Sequence, residues 1–308
     1  LKQRHMTKSA YDIHLTTVET AEKFQPALWT NPLFMTEAAK VYDLEPKLLL
    51  AYKGEFLAAA LPIYEKRRIG SVSLVINPSS YYQELQIWHQ EETPAPRRLL
   101  DELQITSAMA LYLKAHYRNI AFNLTPGQVD VRGFTWNGFK ALPFYTFTHQ
   151  LDQELSPIRD EREKLRRAEA RGYQWHKGLD VEAFLTLNEA LEQRKNRAIV
   201  LHPQRMRGYI ENLHAAGLLR QYNVSREGVI KSSNLLLTDG GEEAFTILRA
   251  SDRAEMRYGV SAWHTQQLIN DLKTQHRMLD LCGGNTPDVA RFKAALGLQL
   301  KVFYRITN

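Results

Sequence analysis

The sequence predicts an α+β protein of two tandem lobes, each a mixed, mainly antiparallel sheet flanked by helices. Three observations carry this: strand-like apolar runs come in threes joined by short turns, each trio stands between helical stretches, and the whole order occurs twice. A chain of 308 residues has room for two such lobes, since domains cluster at about 100–200 residues.

In the first half, helical patterning covers 21–28 and 31–42 and precedes apolar runs at Lys47–Tyr52, Phe56–Tyr64 and Val72–Ile76. Lys53-Gly54 turns the first run into the second as a hairpin. After Thr93–Pro96, Leu99, Leu103, Ala110 and Leu113 fall near one face of an amphipathic helix, and a strand follows at Ile120–Leu124. The second half repeats this order. Helices are expected at Ile158–Ala170, Val181–Ala198 and Pro203–Ala215, then strands at Leu219–Val224, Val229–Leu237 and Ala244–Leu248. Turns at Arg226–Gly228 and Asp239–Gly241 make those three a meander. A helix over 260–274 and a strand at Met278–Leu281 complete the parallel.

The halves also end alike. Asn123-Leu124, Asp130-Val131, Phe139-Lys140 and Phe144-Tyr145 are echoed by Asp280-Leu281, Asp288-Val289, Phe292-Lys293 and Phe303-Tyr304. The echo implies an internal repeat with a period of roughly 160 residues. The expected lobes are 10–150 and 151–308, divided near Gln150–Pro157, where an apolar run gives way to a charged helix.

Composition narrows the chemistry. A formal net charge of +6 favours an anionic partner such as a nucleotide, a phosphate or RNA. The single cysteine, Cys282, excludes an internal disulfide and a thiolate zinc site, and fits a reducing compartment, so a cytoplasmic location is expected. No apolar run reaches the roughly 20 residues that span a bilayer, and Leu1–Ala10 is polar and basic, without the apolar stretch of a signal segment. The 10 histidines never take His-x-x-x-His or His-Glu-x-x-His spacing, so no metal is expected. Neither a Gly-x-Ser-x-Gly elbow nor a Walker phosphate loop occurs.

Several segments resemble the FemABX-type aminoacyl and acyl transferases, whose lobes have the GNAT acyltransferase fold. The run Arg159–Gly172 (RDEREKLRRAEARG) resembles the family's basic R-x-x-[IL]-R-[KR]-A-x-x-x-G segment. Leu187–Arg194 resembles its helix ending in arginine, and Leu279–Gly284 (LDLCGG) with Phe292-Lys293 and Leu296-Gly297 resembles D-[FL]-x-G-G … F-K-x-x-[FL]-G. Pro78–Tyr82 and Asp130–Lys140 are similar to first-lobe segments. The resemblance implies tandem GNAT-like lobes and transfer of an acyl or aminoacyl group from acyl-CoA or aminoacyl-tRNA to an amine-bearing small molecule or peptide. Attack would be direct, without an enzyme-bound intermediate, and tRNA would be a further partner. Acetyltransferases are among the family's relatives. The helix at Ile158–Ala170, about four turns long, leaves no room for the coiled-coil arm of the longer members. The competing reading is a non-catalytic module of the same fold that binds RNA or an acidic partner through its basic face.

Lys293 is the leading catalytic candidate. Thr286 is an apt N-cap, Pro287 an apt first-turn residue and Gly297 a natural stop, which places Lys293 beside Val289 and Leu296 on one helix. The resemblance assigns its charge to an oxyanion or donor phosphate; the bland alternative is a lysine snorkelling from the core's edge. Arg194 could grip a phosphate or carboxylate, or merely complement its helix C-terminus alongside Lys195 and Arg197. The stretch Met256–Ser261 only partly matches the coenzyme A loop [QR]-x-x-G-x-[GA], with Met where Gln or Arg should stand. Donor binding therefore falls to Arg257, Tyr258, Gly259 and Ser261, against the alternative of an ordinary helix start. Tyr81 and Tyr82 are the acceptor-lining candidates, though paired tyrosines after a loop are more often packing. Cys282, at the end of an expected buried strand, is read as inert.

Overall fold

The computed structural model describes residues 10–195 and 202–308, so the end of the expected helix at 196–198, with Arg197, lies outside the described residues, as does Leu1–Ser9. The chain divides into two compact units, Leu1–Pro143 with Phe303–Asn308, and Phe144–Val302.

Unit one opens with β1 (Asp12–Thr16), short 3-10 turns at Val18–Lys23 and Leu28–Thr30, and α1 (Pro32–Tyr42). The Asn31 side chain accepts from the N–H groups of Leu33 and Phe34 at 3.0 and 3.1 Å, and Pro32 presets the first helical φ, which fixes where α1 starts. The meander β2 (Glu45–Lys53), β3 (Phe56–Arg68) and β4 (Ser71–Leu74) is antiparallel, with β1 beside β2 and the two-residue β5 (Gln86–Ile87) against β3. Then come α2 (Ala95–His116), β6 (Ala121–Asn123) and the short α3 (Arg132–Thr135). A parallel bridge joins Leu74 to Ile120. Leu49, Leu61, Ile63, Met109, Leu113 and Phe122 are sealed in this unit's core.

β7 (Lys140–Gln150) starts in unit one and ends in unit two. Unit two continues with α4 (Arg159–Glu169), β8 (Gln174–Lys177), α5 (Val181–Arg194) and α6 (Pro203–Ala215). Its meander is β9 (Leu219–Arg226), β10 (Val229–Leu237) and β11 (Glu243–Ser251); α7 (Arg253–Met256), α8 (Val260–Leu272), β12 (Met278–Asp280) and α9 (Pro287–Ala295) follow. The strands run in the order β7-β12-β11-β10-β9-β8, antiparallel except that β11 and β12 are parallel. β13 (Gln299–Thr307) leaves unit two and ends in unit one, where Arg305 pairs with Asn123 of β6.

Each unit therefore holds the same series: a strand antiparallel to the meander's first strand, a helical segment, the three-stranded meander, a helix, and a strand that returns parallel to the meander's last strand. The parallel return is Leu74 with Ile120 in one and Ala244 with Leu279 in the other. The tandem α+β architecture stands. The division differs from that expected, falling within β7 and β13 rather than in the 150–157 loop, because both strands are long enough to serve two units.

Gly297 ends α9 with φ +82°, and a Cβ built there would come 2.4 Å from the Ser156 carbonyl oxygen. Gly297→Ala combines left-handed backbone strain with a clash against main chain, and is expected to cost about 2–5 kcal/mol. Gly228→Ala, with φ +75° but open space around it, should cost only about 1–2 kcal/mol. Urea denaturation of the two variants checks the difference.

Candidate active site

The parallel ladder between β11 and β12 runs only from Glu243–Phe245 against Met278–Asp280. Beyond it, β11 continues to Ser251 with β10 on one side, while the chain after Asp280 stays with β7. Leu281 N–H donates to Phe147 O at 2.8 Å, and the Asn285 side chain clamps Tyr145, accepting from its N–H at 2.9 Å and donating to its carbonyl at 3.0 Å. Gly284 lies so close under Phe147 that a Cβ would meet the ring at 2.8 Å. The sheet therefore splits, and the β12-facing edge of β11 past Phe245 is left without a ladder. A bulge near Thr246–Leu248 lies on this same stretch.

Lys293 reaches into that split. Its ammonium donates to the carbonyls of Leu281, Cys282 and Gly283 at 2.7, 2.8 and 2.5 Å, and the residue is only 6% exposed. All three donors of the ammonium are thereby used, so the geometry fits neither a snorkelling lysine nor one free to hold an oxyanion directly. Burial pulls its pKa down to about 8, opposed by Cys282 and Asp280. The turn it secures has Cys282 at φ 38°, with Cys282 N–H donating to Asp280 Oδ1 at 2.7 Å; Thr146 Oγ1 donates to the same oxygen at 2.5 Å. Burial, then Asp280, push the Cys282 thiol well above its ordinary pKa, which removes it as a thiolate nucleophile.

The candidate donor residues gather at the start of α8. Gly259 caps it at φ 87°, packed so that a Cβ would sit 2.8 Å from the Lys164 carbonyl oxygen of α4. Helix geometry leaves the N–H groups of Val260, Ser261 and Ala262 without intrahelical acceptors. The preceding loop is rooted by Glu255, 6% exposed, which accepts from Tyr173 Oη at 2.7 Å, from Arg171 at 3.2 and 3.3 Å and from Arg226 at 3.2 Å. Burial works against the Glu255 charge, yet the Arg171 and Tyr173 hydrogen bonds outweigh it and hold the carboxylate below its ordinary pKa. Tyr258 carries two guanidiniums over its ring, Arg171 at 3.8 Å and the exposed Arg257 at 4.7 Å. Ser261 Oγ donates to Ser251 Oγ at 3.3 Å.

The other candidates lie elsewhere. Arg194 is an exposed side chain in the last turn of α5, whose buried face is Val181, Phe184 and Asn188, so it does not face a buried cleft; its place matches a helix C-terminal charge. Tyr81 and Tyr82 belong to unit one. Tyr82 is fully buried, edge-on to Trp29, Tyr81 and Phe303 at 5.5, 4.8 and 5.2 Å, so its ring is core and lines no acceptor site. Tyr81 keeps partial exposure with φ 57°. Asp280 entered the sequence reading only as the aspartate of the LDLCGG motif, without a role, and Asn285 was passed over, its signal being an Asn after Gly-Gly; both hold the split open. Sequence reasoning also passed over Arg249, a lone cation ending the apolar stretch of β11.

Residues 156–294 match the acetyltransferase (GNAT) domain family. The fold is the tandem GNAT fold. The solved structure of FemX aligns over 95% of this chain and 96% of its own at 13% identity, TM-score 0.64. L-PGS from Bacillus licheniformis aligns over 88% and 86% at 11% identity, TM-score 0.54. A tandem GNAT protein from the clavulanic acid biosynthesis pathway aligns over 96% and 98% at 13% identity, TM-score 0.53. No curated protein sequence matches the chain. The matched residues 156–294 include β11, α8 and β12. Among the described residues, no helix is long and apolar enough to cross a membrane, and no group of three or more His, Cys, Asp or Glu side chains is arranged to hold a metal ion.

Lys293→Met strips one buried and two part-buried carbonyls of their donor and is expected to destabilise the protein by about 2–4 kcal/mol, since an orphaned buried group costs on the order of 1–3 kcal/mol and the part-buried ones less. A lysine depressed to about 8 when folded but titrating near 10.4 when unfolded makes the unfolded chain bind more protons between those values. The wild type should therefore gain stability as pH rises from about 8 toward 10, relative to Lys293→Met, which lacks the group. Urea titrations across that range measure both effects.

Proposed function

We propose that unit two transfers an acyl group from acyl-CoA to an amine. The observation that carries this is the parting of β11 from β12 next to the first turn of α8. An extended donor arm bearing amides can hydrogen-bond along the unladdered edge of β11, as a peptide adds to a sheet edge. Its pyrophosphate can rest on the free N–H groups of Val260, Ser261 and Ala262, where the helix dipole favours negative charge. Arg257, exposed at that loop, is the side chain we assign to the donor's phosphates.

The reaction is direct attack. The amine nitrogen bonds to the thioester carbonyl carbon, the carbon–sulfur bond breaks, coenzyme A leaves as the thiol, and the amine's proton passes to solvent or a base. No enzyme nucleophile is required, which agrees with a thiol at Cys282 that burial keeps protonated. Lys293 serves by positioning: it holds the carbonyls of 281–283 away from β11, so that the donor finds the split already formed. The acceptor is an amine-bearing small molecule or peptide.

Titration calorimetry with acetyl-CoA and with an aminoacyl-tRNA tests the donor. Acetyl-CoA should bind, and Arg257→Ala should weaken it about tenfold, the equivalent of one charge-assisted contact of about 1.4 kcal/mol. Binding of the tRNA alone would overturn coenzyme A as donor; binding of neither, with RNA or an acidic protein still retained, would make the chain a non-catalytic module.

A further inference from the structure

Arg249 of β11 is a buried cation without a counter-charge. Its Nε donates to Asn234 Oδ1 at 3.2 Å, and its Nη1 to Thr265 Oγ1 at 2.6 Å and Ser261 O at 3.3 Å, all neutral acceptors. It forms no ion pair with any described residue, and Nη2 is sealed from solvent without a partner, although the residue as a whole retains some exposure. Two half-buried guanidiniums in this unit are treated differently: Arg171 and Arg226 both close on Glu255.

Two neighbours are orphaned with it. Asn234 is fully buried; its oxygen is turned to the arginine, which leaves Nδ2 with no acceptor. His264, also fully buried, precedes Arg249's contact Thr265 by one position on α8; its Nδ1 pairs with Ser232 Oγ at 2.8 Å, its ring stands edge-on to Trp175 at 5.3 Å, and Nε2 has no partner. Asn234 and Arg249 are cross-strand partners, and Ser232, two residues earlier in β10, shares their face. Burial, then the Arg249 charge, hold the imidazole neutral; the site uses the tautomer in which Ser232 donates to Nδ1 and the ring proton lies on Nε2.

Buried polar groups without partners are rare, and a buried cation without an anion is costly. Here a guanidinium, an amide and an imidazole each have one nitrogen spare, on side chains that touch or adjoin one another. We propose that Arg249, Asn234 and His264 form a binding site for a carboxylate, admitted from the exposed side of Arg249. Three single donors suit the two oxygens of a carboxylate; a phosphate dianion, with more oxygens to satisfy, asks for more. The site stands independently of the donor reading, because occupancy is read without turnover.

Thermal melting and titration calorimetry with sodium acetate, sodium succinate, sodium chloride and the neutral isostere acetamide test it. Acetate should raise the melting temperature by several degrees and acetamide should not. Tighter binding of succinate than of acetate would identify the carboxylate as one borne on a larger substrate; equal binding of acetate and chloride would identify a free small anion. Arg249→Met should abolish the response. Asn234→Asp, which supplies a carboxylate from within, should raise the basal melting temperature and also abolish it, and keeps the test open if Arg249→Met does not fold. Acetamide matching acetate, or a full acetate response in either variant, would mean that water fills the space and that no anion site exists.

Discussion

One ammonium group governs the geometry of unit two. A segment leaving a parallel strand would ordinarily continue its ladder, because its carbonyls need donors and the neighbouring strand offers them. Lys293 supplies those donors instead, taking the carbonyls of Leu281, Cys282 and Gly283, while Asp280 takes the Cys282 N–H and β7 the Leu281 N–H. The three carbonyls and the N–H groups of Leu281 and Cys282 are thus satisfied without β11. The split therefore has two unlike sides: the turn after β12 is held by Lys293, Asp280 and β7, while the facing edge of β11 past Phe245 is left without a ladder.

Charge is managed by contrasting means within the same unit. Glu255 collects Arg171, Arg226 and Tyr173, and Arg226 also pairs with Glu227, so two guanidiniums meet two carboxylates in a knot that fixes the loop before α8. Because that knot is internally balanced, Arg257 and the helix start are left as the free positive features of the loop. On the same side of the sheet, Arg249 is desolvated without such balance, and burial brings its pKa down to about 10. The difference is what an arrangement for stability and an arrangement for a ligand look like in one fold.

Much of the architecture was legible in the sequence. The meanders read clearly because Lys53-Gly54, Glu227-Gly228 and Asp239-Gly240-Gly241 punctuate apolar runs, and because the order repeats. The edge strand β8 did not: Gln174-Trp-His-Lys is mostly exposed and shows no apolar run. β13 was hidden for a related reason, since its first four residues, Gln299–Val302, are exposed. At the site, the placement of Gly259 and Lys293 was visible but the direction of the lysine was not. Helical spacing puts a side chain on a face; it cannot say that three carbonyls from a turn ten to twelve residues earlier converge on its tip. Tyr82 failed for the opposite reason, as an amphipathic ring near a loop gives no sign of whether the core will claim it.

The path of β13 carries a consequence for how the chain is made. Phe303, Arg305 and Ile306 are structural parts of unit one, and the Asn308 side chain bonds both the Ile120 N–H and the Arg118 carbonyl. On the ribosome the first unit therefore waits, with β6 lacking its neighbour, until the whole of unit two has been synthesised. Unit one can be completed only after unit two has been made: what emerges first is finished last.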